Sequence, residues 1–250
     1  MLSFFHTFLY VPIYNLMVFL VDVVPGGDIG LAVVLATVIV KLVIMPLSLS
    51  AVRTQRRMKL IEKELKEIRE KYKDNREQQA KEMLALYRAN DIRPFSSILG
   101  ILIQLPIVIT LYFVFSREAL LNIDPTLLYS FIPLPETVAP LFLNTFTVAG
   151  HSLVLAVLAA AAQYLLARVS IPVPAASASG TKSTATEDFG RIMAIQARFV
   201  LPIIIGVVAY TSGAIALYFI TSSLVGLVQE FVVRRMKHPT VPAALETSAA

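Results

Sequence analysis

The chain carries several long runs almost free of charge, and these constrain its fold more than any other feature. Ile29 to Ser50 contains a single ionisable residue, Lys41. An apolar stretch of about 20 residues is what a helix needs to cross a bilayer. Comparable runs follow at 95–117, 150–168, 192–211 and 214–233. The chain has 250 residues, 56% hydrophobic and 16% charged, and a mean hydropathy of +0.71. Soluble domains carry about 25% charged residues, so the composition excludes a disordered chain and argues against an ordinary soluble globule. The reading is an all-α integral membrane protein with five transmembrane helices, and no internal repeat is visible.

Residues 1–28 are apolar and aromatic as far as the break Pro25-Gly26-Gly27-Asp28. They lack the basic start and small-residue cleavage site of a signal peptide. Pro12 and Asn15 interrupt the run, so an interfacial helix lying along the membrane is expected there. Pro46 is expected to kink the first span near its end.

Residues 51–94 change character, with thirteen Lys/Arg against eight Asp/Glu. Met58, Ile61, Leu65, Ile68 and Tyr72 recur at spacings of 3 and 4, a narrow stripe on a charged helix. Asp74-Asn75 signals a turn. Ala80, Met83, Leu84 and Tyr87 are expected to form a second apolar face, giving a cytoplasmic helical hairpin. The proline-rich connection 118–149 and the Ala/Ser/Thr/Pro-rich loop 169–191 separate the later spans, and 234–250 is a basic tail.

Lys and Arg favour the cytoplasmic side of a membrane. They crowd into 51–94, into the third-to-fourth span loop (Arg168, Lys182, Arg191, Arg198) and behind the last span, whereas the opposite connections hold only Arg117. The expected topology therefore has the N-terminus outside and the C-terminus in the cytoplasm of a cell whose inner or plasma membrane the chain spans.

Chemistry is sparse. The chain has no cysteine and only three histidines, His6, His151 and His238. Thiol nucleophiles and thiolate metal sites are excluded, and no metal site or cofactor is expected. Pro25-Gly26-Gly27-Asp28 faintly resembles the Gly-x-Gly-Asp of intramembrane aspartyl proteases, but a second paired carboxylate is missing, since Glu230 lies at the far end of the last span. His151 and Ser222 lie at different depths, which disfavours a serine hydrolase. No catalytic residue is assigned.

Lys41 has no cheap structural explanation. A charge at mid-span costs roughly 2.5–3.5 kcal/mol and usually faces a bundle interior or a watery cavity. About nine residues, or ~14 Å, separate it from the span's end, too far for simple snorkelling. Thr37 lies one turn earlier on the same face. Gln104, Thr110, Gln163, Tyr218, Ser222 and Gln229 are further in-span polar residues, each alone explicable as an interhelical hydrogen bond. Lys41, Thr37, Gln104, Tyr218 and Ser222 are expected to line a hydrophilic groove.

These residues carry a resemblance. Gly30-Leu31-Ala32-Val33, Val40-Lys41-Leu42 and Met45-Pro46-Leu47, followed by a charged hairpin, resemble the first core span of the YidC-type membrane protein insertases. Leu102-Ile103-Gln104-Leu105-Pro106-Ile107 is similar to that family's second core span, and Thr211-Ser212-Gly213-Ala214-Ile215-Ala216-Leu217-Tyr218 to the start of its last, with Gln229 also matching. Lys41 stands where the family usually has arginine, which keeps the charge and loses the planar fork. The chain resembles the minimal five-span form of the family.

The resemblance implies a chaperone that inserts nascent membrane proteins through a groove open to cytoplasm and lipid, without a small-molecule cofactor. It implies ribosomes, the general secretion translocon and membrane lipids as partners. The residues alone leave two rivals: a small transporter or channel using Lys41 as an anion counter-charge, and a scaffold whose hairpin recruits soluble proteins.

Overall fold

The computed structural model describes residues 6–92, 106–114, 122–148, 150–171, 192 and 194–235. The chain is an all-α membrane protein, with one small hairpin of strands among the described residues. It divides into two compact units, Met1–Ile44 with Gln104–Glu230, and Met45–Ile103 with Phe231–Ala250.

Unit one begins with a π-helical turn, His6–Tyr10, running into α1 (Val11–Val23). α2 (Ile29–Leu60) follows the 3-10 turn Pro25–Gly27 and contributes residues to both units; it continues on either side of Pro46. Among the described residues, four helical segments are long and apolar enough to cross a membrane: His6–Val23, Ile29–Thr54, Leu153–Ser170 and Gly213–Arg235. Gln196–Tyr210 is a shorter apolar helix. Of the expected second span, 106–114 is described and helical. The N-terminal segment thus has the length and apolarity of a span as well as of the interfacial helix expected from its sequence.

Unit two also holds two elements of the hairpin, α3 (Glu62–Lys71) and α4 (Arg76–Ala89). Asn75 starts α4 by accepting a hydrogen bond from the Gln78 N–H at 3.0 Å, the usual way a cap satisfies an orphan donor. Ile61, Leu65, Leu86 and Ile92 form the buried core, with Met58, Ile68, Met83 and Tyr87 packed around it. Of the first stripe, Ile61 and Leu65 are buried and Met58 and Ile68 are half-buried against them; Tyr72 is half-buried outside this cluster. The second face differs, because Ala80 and Leu84 are exposed and Leu86 is buried. Met83, Leu86 and Tyr87 share an i, i+3, i+4 face, and Leu84 lies about 100° around the helix from Met83.

In unit one, α5 is the stretch 106–114, α6 is Leu153–Ser170 and α7 is Leu201–Tyr210 behind the π-helical turn Gln196–Val200; α8, Gly213–Arg235, belongs to unit one as far as Glu230. Small residues let α6 and α7 approach: a Cβ on Gly206 would meet the Ala160 Cβ at 3.1 Å, the close packing membrane helices use in place of hydrophobic burial. The outward face of these helices is apolar and exposed, as with Leu153 at 68% and Val207 at 66%.

The described part of the connection between α5 and α6, 122–148, contains a strand pair. β1 (Leu141–Phe142) pairs antiparallel with β2 (Phe146–Thr147), in register Leu141 with Thr147 and Phe142 with Phe146. Their turn holds Leu143 and Asn144 at φ +52° and +54°, a conformation that costs a residue like leucine roughly 1–2 kcal/mol.

Candidate functional site

Four of the five expected groove residues lie two by two on α2 and α8. On α2, Thr37 and Lys41 stand four residues apart and therefore on one face. Thr37 is buried, and its hydroxyl donates to the Val33 carbonyl at 2.7 Å, so its own helix satisfies it. Lys41 is half-buried, while its neighbours Leu42 and Val43 are exposed. On α8, Tyr218 and Ser222 repeat the same spacing. Tyr218 is buried with its ring edge-on to Phe219 at 5.2 Å, and Ser222 is half-buried. Gln104 lies outside the described residues.

The other in-span polar groups behave differently. Thr110 is fully buried and donates to the Pro106 carbonyl at 2.8 Å. Gln163 on α6 accepts a hydrogen bond from Ser223 on α8 at 2.9 Å, a polar link between two apolar helices. Close by in sequence, a Cβ on Gly226 would meet Leu166 at 3.0 Å, so α6 and α8 also touch there. Gln229 is buried, and its Nε2 has no hydrogen-bond partner among the described residues.

Hydrogen bonds that the sequence did not announce tie the start of α2 to the β1–β2 turn. Asp28 is buried; its Oδ1 accepts from the Leu31 N–H at 2.9 Å and its Oδ2 from the Leu143 N–H at 2.7 Å. One carboxylate therefore caps α2 and holds the strained β1–β2 turn, and a negative charge is favoured at a helix N-terminus. The backbone adds to this seam, with Ile29 N–H donating to Ala139 at 3.0 Å and Ala139 N–H to Gly27 at 2.8 Å. Gly27, at φ +63°, leaves no room for a Cβ beside the Thr137 carbonyl.

Asn15 is the second anchor. Its amide donates to Val11 and Leu127 carbonyls at 2.8 Å and accepts from the Tyr129 N–H at 2.7 Å, while the Tyr14 hydroxyl accepts from the Asp124 N–H at 2.9 Å. At the start of α8, Gly213 N–H donates to Gly150 at 3.0 Å and Ala214 N–H to Val148 at 3.2 Å. In the sequence Asn15 reads as an interruption and Asp28 as part of a break. The available signal was positional: an acid just before an apolar helical run is a capping residue.

Beyond Asp28, Asp124 accepts from both the hydroxyl and the N–H of Thr126, at 2.7 and 2.9 Å. Those bonds, the hydroxyl's first, hold its carboxyl below the usual carboxylate range. His151 is engaged in structure: its ring stacks on Tyr210 at 5.0 Å and its Nδ1 lies 3.0 Å from the Tyr210 carbonyl, which can only accept, so Nδ1 donates. Among the described residues, no three His, Cys, Asp or Glu side chains gather to hold a metal.

Comparison with known proteins extends the sequence pattern over most of the chain. The family described as "60Kd inner membrane protein" matches residues 19–240. The "Membrane protein insertase YidC" of Clostridium tetani is 27% identical over 213 residues, 85% of this chain and 84% of that protein. The protein of the same description from Francisella tularensis subsp. novicida is 28% identical over 211 residues, 84% of this chain but 33% of that longer protein.

Proposed function

The chain belongs to the 60Kd inner membrane protein family, and on that premise we propose that it is a membrane protein insertase. It is a multi-pass membrane protein. The observation that carries the reading is the extent of the family match, 19–240, which takes in Lys41 and every groove residue expected from the sequence.

The mechanism follows from the cost of moving polar groups through hydrocarbon. A nascent hydrophobic segment lies against the apolar exterior of the helices, where leaving water is favourable. Its polar flank would cross oil alone only at a cost of several kcal/mol per unsatisfied group. A groove lined by Thr37, Lys41, Gln104, Tyr218 and Ser222 lowers that cost by offering hydroxyls, an amide and a positive charge part-way across. The hydrogen-bonded seam around Asp28 and Asn15 closes the far end, so the flank passes without an open pore. No bond is made or broken in this cycle. Ribosomes and the secretion translocon are the partners that deliver substrate, and the hairpin is the surface that meets them.

In this reading five helices span, at 29–50, 95–117, 150–168, 192–211 and 214–233. Residues 1–28 lie at the outer interface, and the C-terminus is cytoplasmic. The test is twofold. Cysteines at Asn75, Ser179 and after Ala250 should resist an impermeant reagent applied from outside, and one at Pro135 should react; labelling of Asn75 from outside overturns the topology. Purified protein in liposomes should protect the translocated tail of a single-span substrate from protease. Solute flux without tail protection would assign the chain to transport.

A further inference from the structure

Unit two contains a cavity of about 410 Å³, within the size range of small-ligand sites. Ser50, Arg53, Thr54 and Arg57 line it from α2, and Arg88, Asp91 and Ile92 from the end of α4. The four α2 residues are spaced i, i+3, i+4, i+7, so one helix face presents two hydroxyls and two guanidinium groups together. Three arginines face one carboxylate, which leaves the lining at +2. Ile92 is the one apolar residue of the lining, and the arginine stems add apolar surface beside the charged groups.

The wall is held by Arg57. Its Nη1 donates to the carbonyls of Asn90 at 3.3 Å and Asp91 at 2.9 Å, and lies 3.6 Å from the Asp91 carboxylate. Asp91 itself sits at φ +48° just past the end of α4, where the Ile92 N–H reaches back to Tyr87 at 2.8 Å. Glycine is the common residue at such a helix end. Asp91 therefore accepts a strained backbone while keeping its carboxylate beside Arg57. Arg53 and Arg88 share the same lining, and like charges around one cavity favour an anion between them. Guanidinium forks match the oxygens of a phosphate better than any other side chain does.

Depth selects the source of that phosphate. The apolar stretch of α2 runs from Ile29 to Thr54, so Ser50 to Arg57 straddle its end. That is the level at which a membrane helix leaves hydrocarbon for the headgroup layer, and basic pockets there attract anionic lipids. We propose that this cavity binds the phosphate group of an anionic phospholipid. The proposal uses none of the groove residues and stands without the insertase reading.

The full chain, purified in mild detergent, is titrated with phosphatidylglycerol or phosphatidylcholine, and retained lipid is counted by native mass spectrometry. Phosphatidylglycerol should be retained at least about tenfold more tightly than phosphatidylcholine, and Arg53→Gln with Arg88→Gln should remove most of that preference. Asp91→Gly keeps the left-handed turn and deletes the carboxylate, so retention should rise several-fold. Equal retention by the wild type and the double variant overturns the site. If the double variant loses its hairpin by hydrogen exchange, Asp91→Gly decides alone, and unchanged retention with the hairpin intact overturns the site. Two further arms separate the sources. Broadening of the inorganic phosphate signal in phosphorus NMR without lipid retention assigns the cavity to soluble phosphate. Charge-dependent binding of a short RNA without lipid retention assigns it to nucleic acid. Either outcome overturns the lipid proposal.

Discussion

The helical hairpin and the helices of unit one use the same 3.6-residue period with opposite surfaces. In the hairpin, four apolar residues, Ile61, Leu65, Leu86 and Ile92, are buried and charge faces outward. In unit one, Leu153, Val207 and Val43 face outward, while Thr37, Thr110, Asn15 and Ser223 are buried. The difference lies in the solvent each is built for. Water drives the hairpin's apolar stripe together. Lipid exerts no such drive, so the bundle depends on small residues in close contact and on hydrogen bonds. Substitutions should therefore act by opposite rules in the two regions.

The hairpin should give the largest effect. Leu65→Asp with Ile68→Asp places carboxylates in its small core and should cost at least about 4 kcal/mol, more than so small a unit can lose. Hydrogen exchange should show loss of protection over 58–92 and retained protection in α6 and α8. Loss in both regions would erase the distinction.

The polar anchor of unit one comes next. Asp28→Ala removes the cap of α2 and the hold on Leu143, at a cost of about 2–4 kcal/mol. Asp28→Asn keeps an acceptor and should cost less. Thermal unfolding in detergent measures both, and equal midpoints for Ala and wild type would mean that the buried carboxylate is not an anchor.

Lys41 tests the proposed groove. Lys41→Arg should retain insertion of tails bearing one to three acidic residues. Lys41→Ala should lower it several-fold and Lys41→Glu by about tenfold or more, because repulsion is strong in a low-dielectric groove. Liposome insertion at matched protein levels reads the series. If Ala equals or exceeds wild type, the charge serves no substrate and its removal merely relieves an insertion cost.

The smallest effect belongs to Asp124. Because its folded carboxyl is held below the ordinary range, its contribution to the 124–126 turn is full above about pH 4 and is lost as pH falls through the lowered value. Local exchange protection at Leu127 should fall only at strongly acidic pH, and Asp124→Asn should flatten that dependence.

Much of this was legible in the residues because it depends on local pattern. The apolar runs mark helices such as Leu153–Ser170 and Gly213–Arg235 at nearly the positions their composition indicates. The stripe from Met58 to Ile68 identified one side of the hairpin core, since a regular period implies a face before any partner is known. Its other side was misjudged by two positions: alanine and leucine at Ala80 and Leu84 are apolar enough to suggest a face, but burial depends on which side of α4 meets α3. Lys41 stood out because an intramembrane charge is costly wherever the helix lies, whereas Ser223 gave no sign of its bond to Gln163.

The sequence by itself determined the solvent: long uncharged runs require lipid, and clustered lysine and arginine require water. It also determined the motif set that marks the family, because those are short-range patterns. Only the tertiary structure decided what the breaks are for. Asp28 and Leu143, and likewise Asn15 and Tyr129, are separated by more than a hundred residues of chain, yet each pair is joined by a hydrogen bond of 2.7 Å. Arg57 and Asp91 likewise meet across the hairpin to shape a basic cavity. A buried polar group must find a partner wherever the fold brings one, and that partner's identity depends on three-dimensional proximity, which no local pattern of residues encodes.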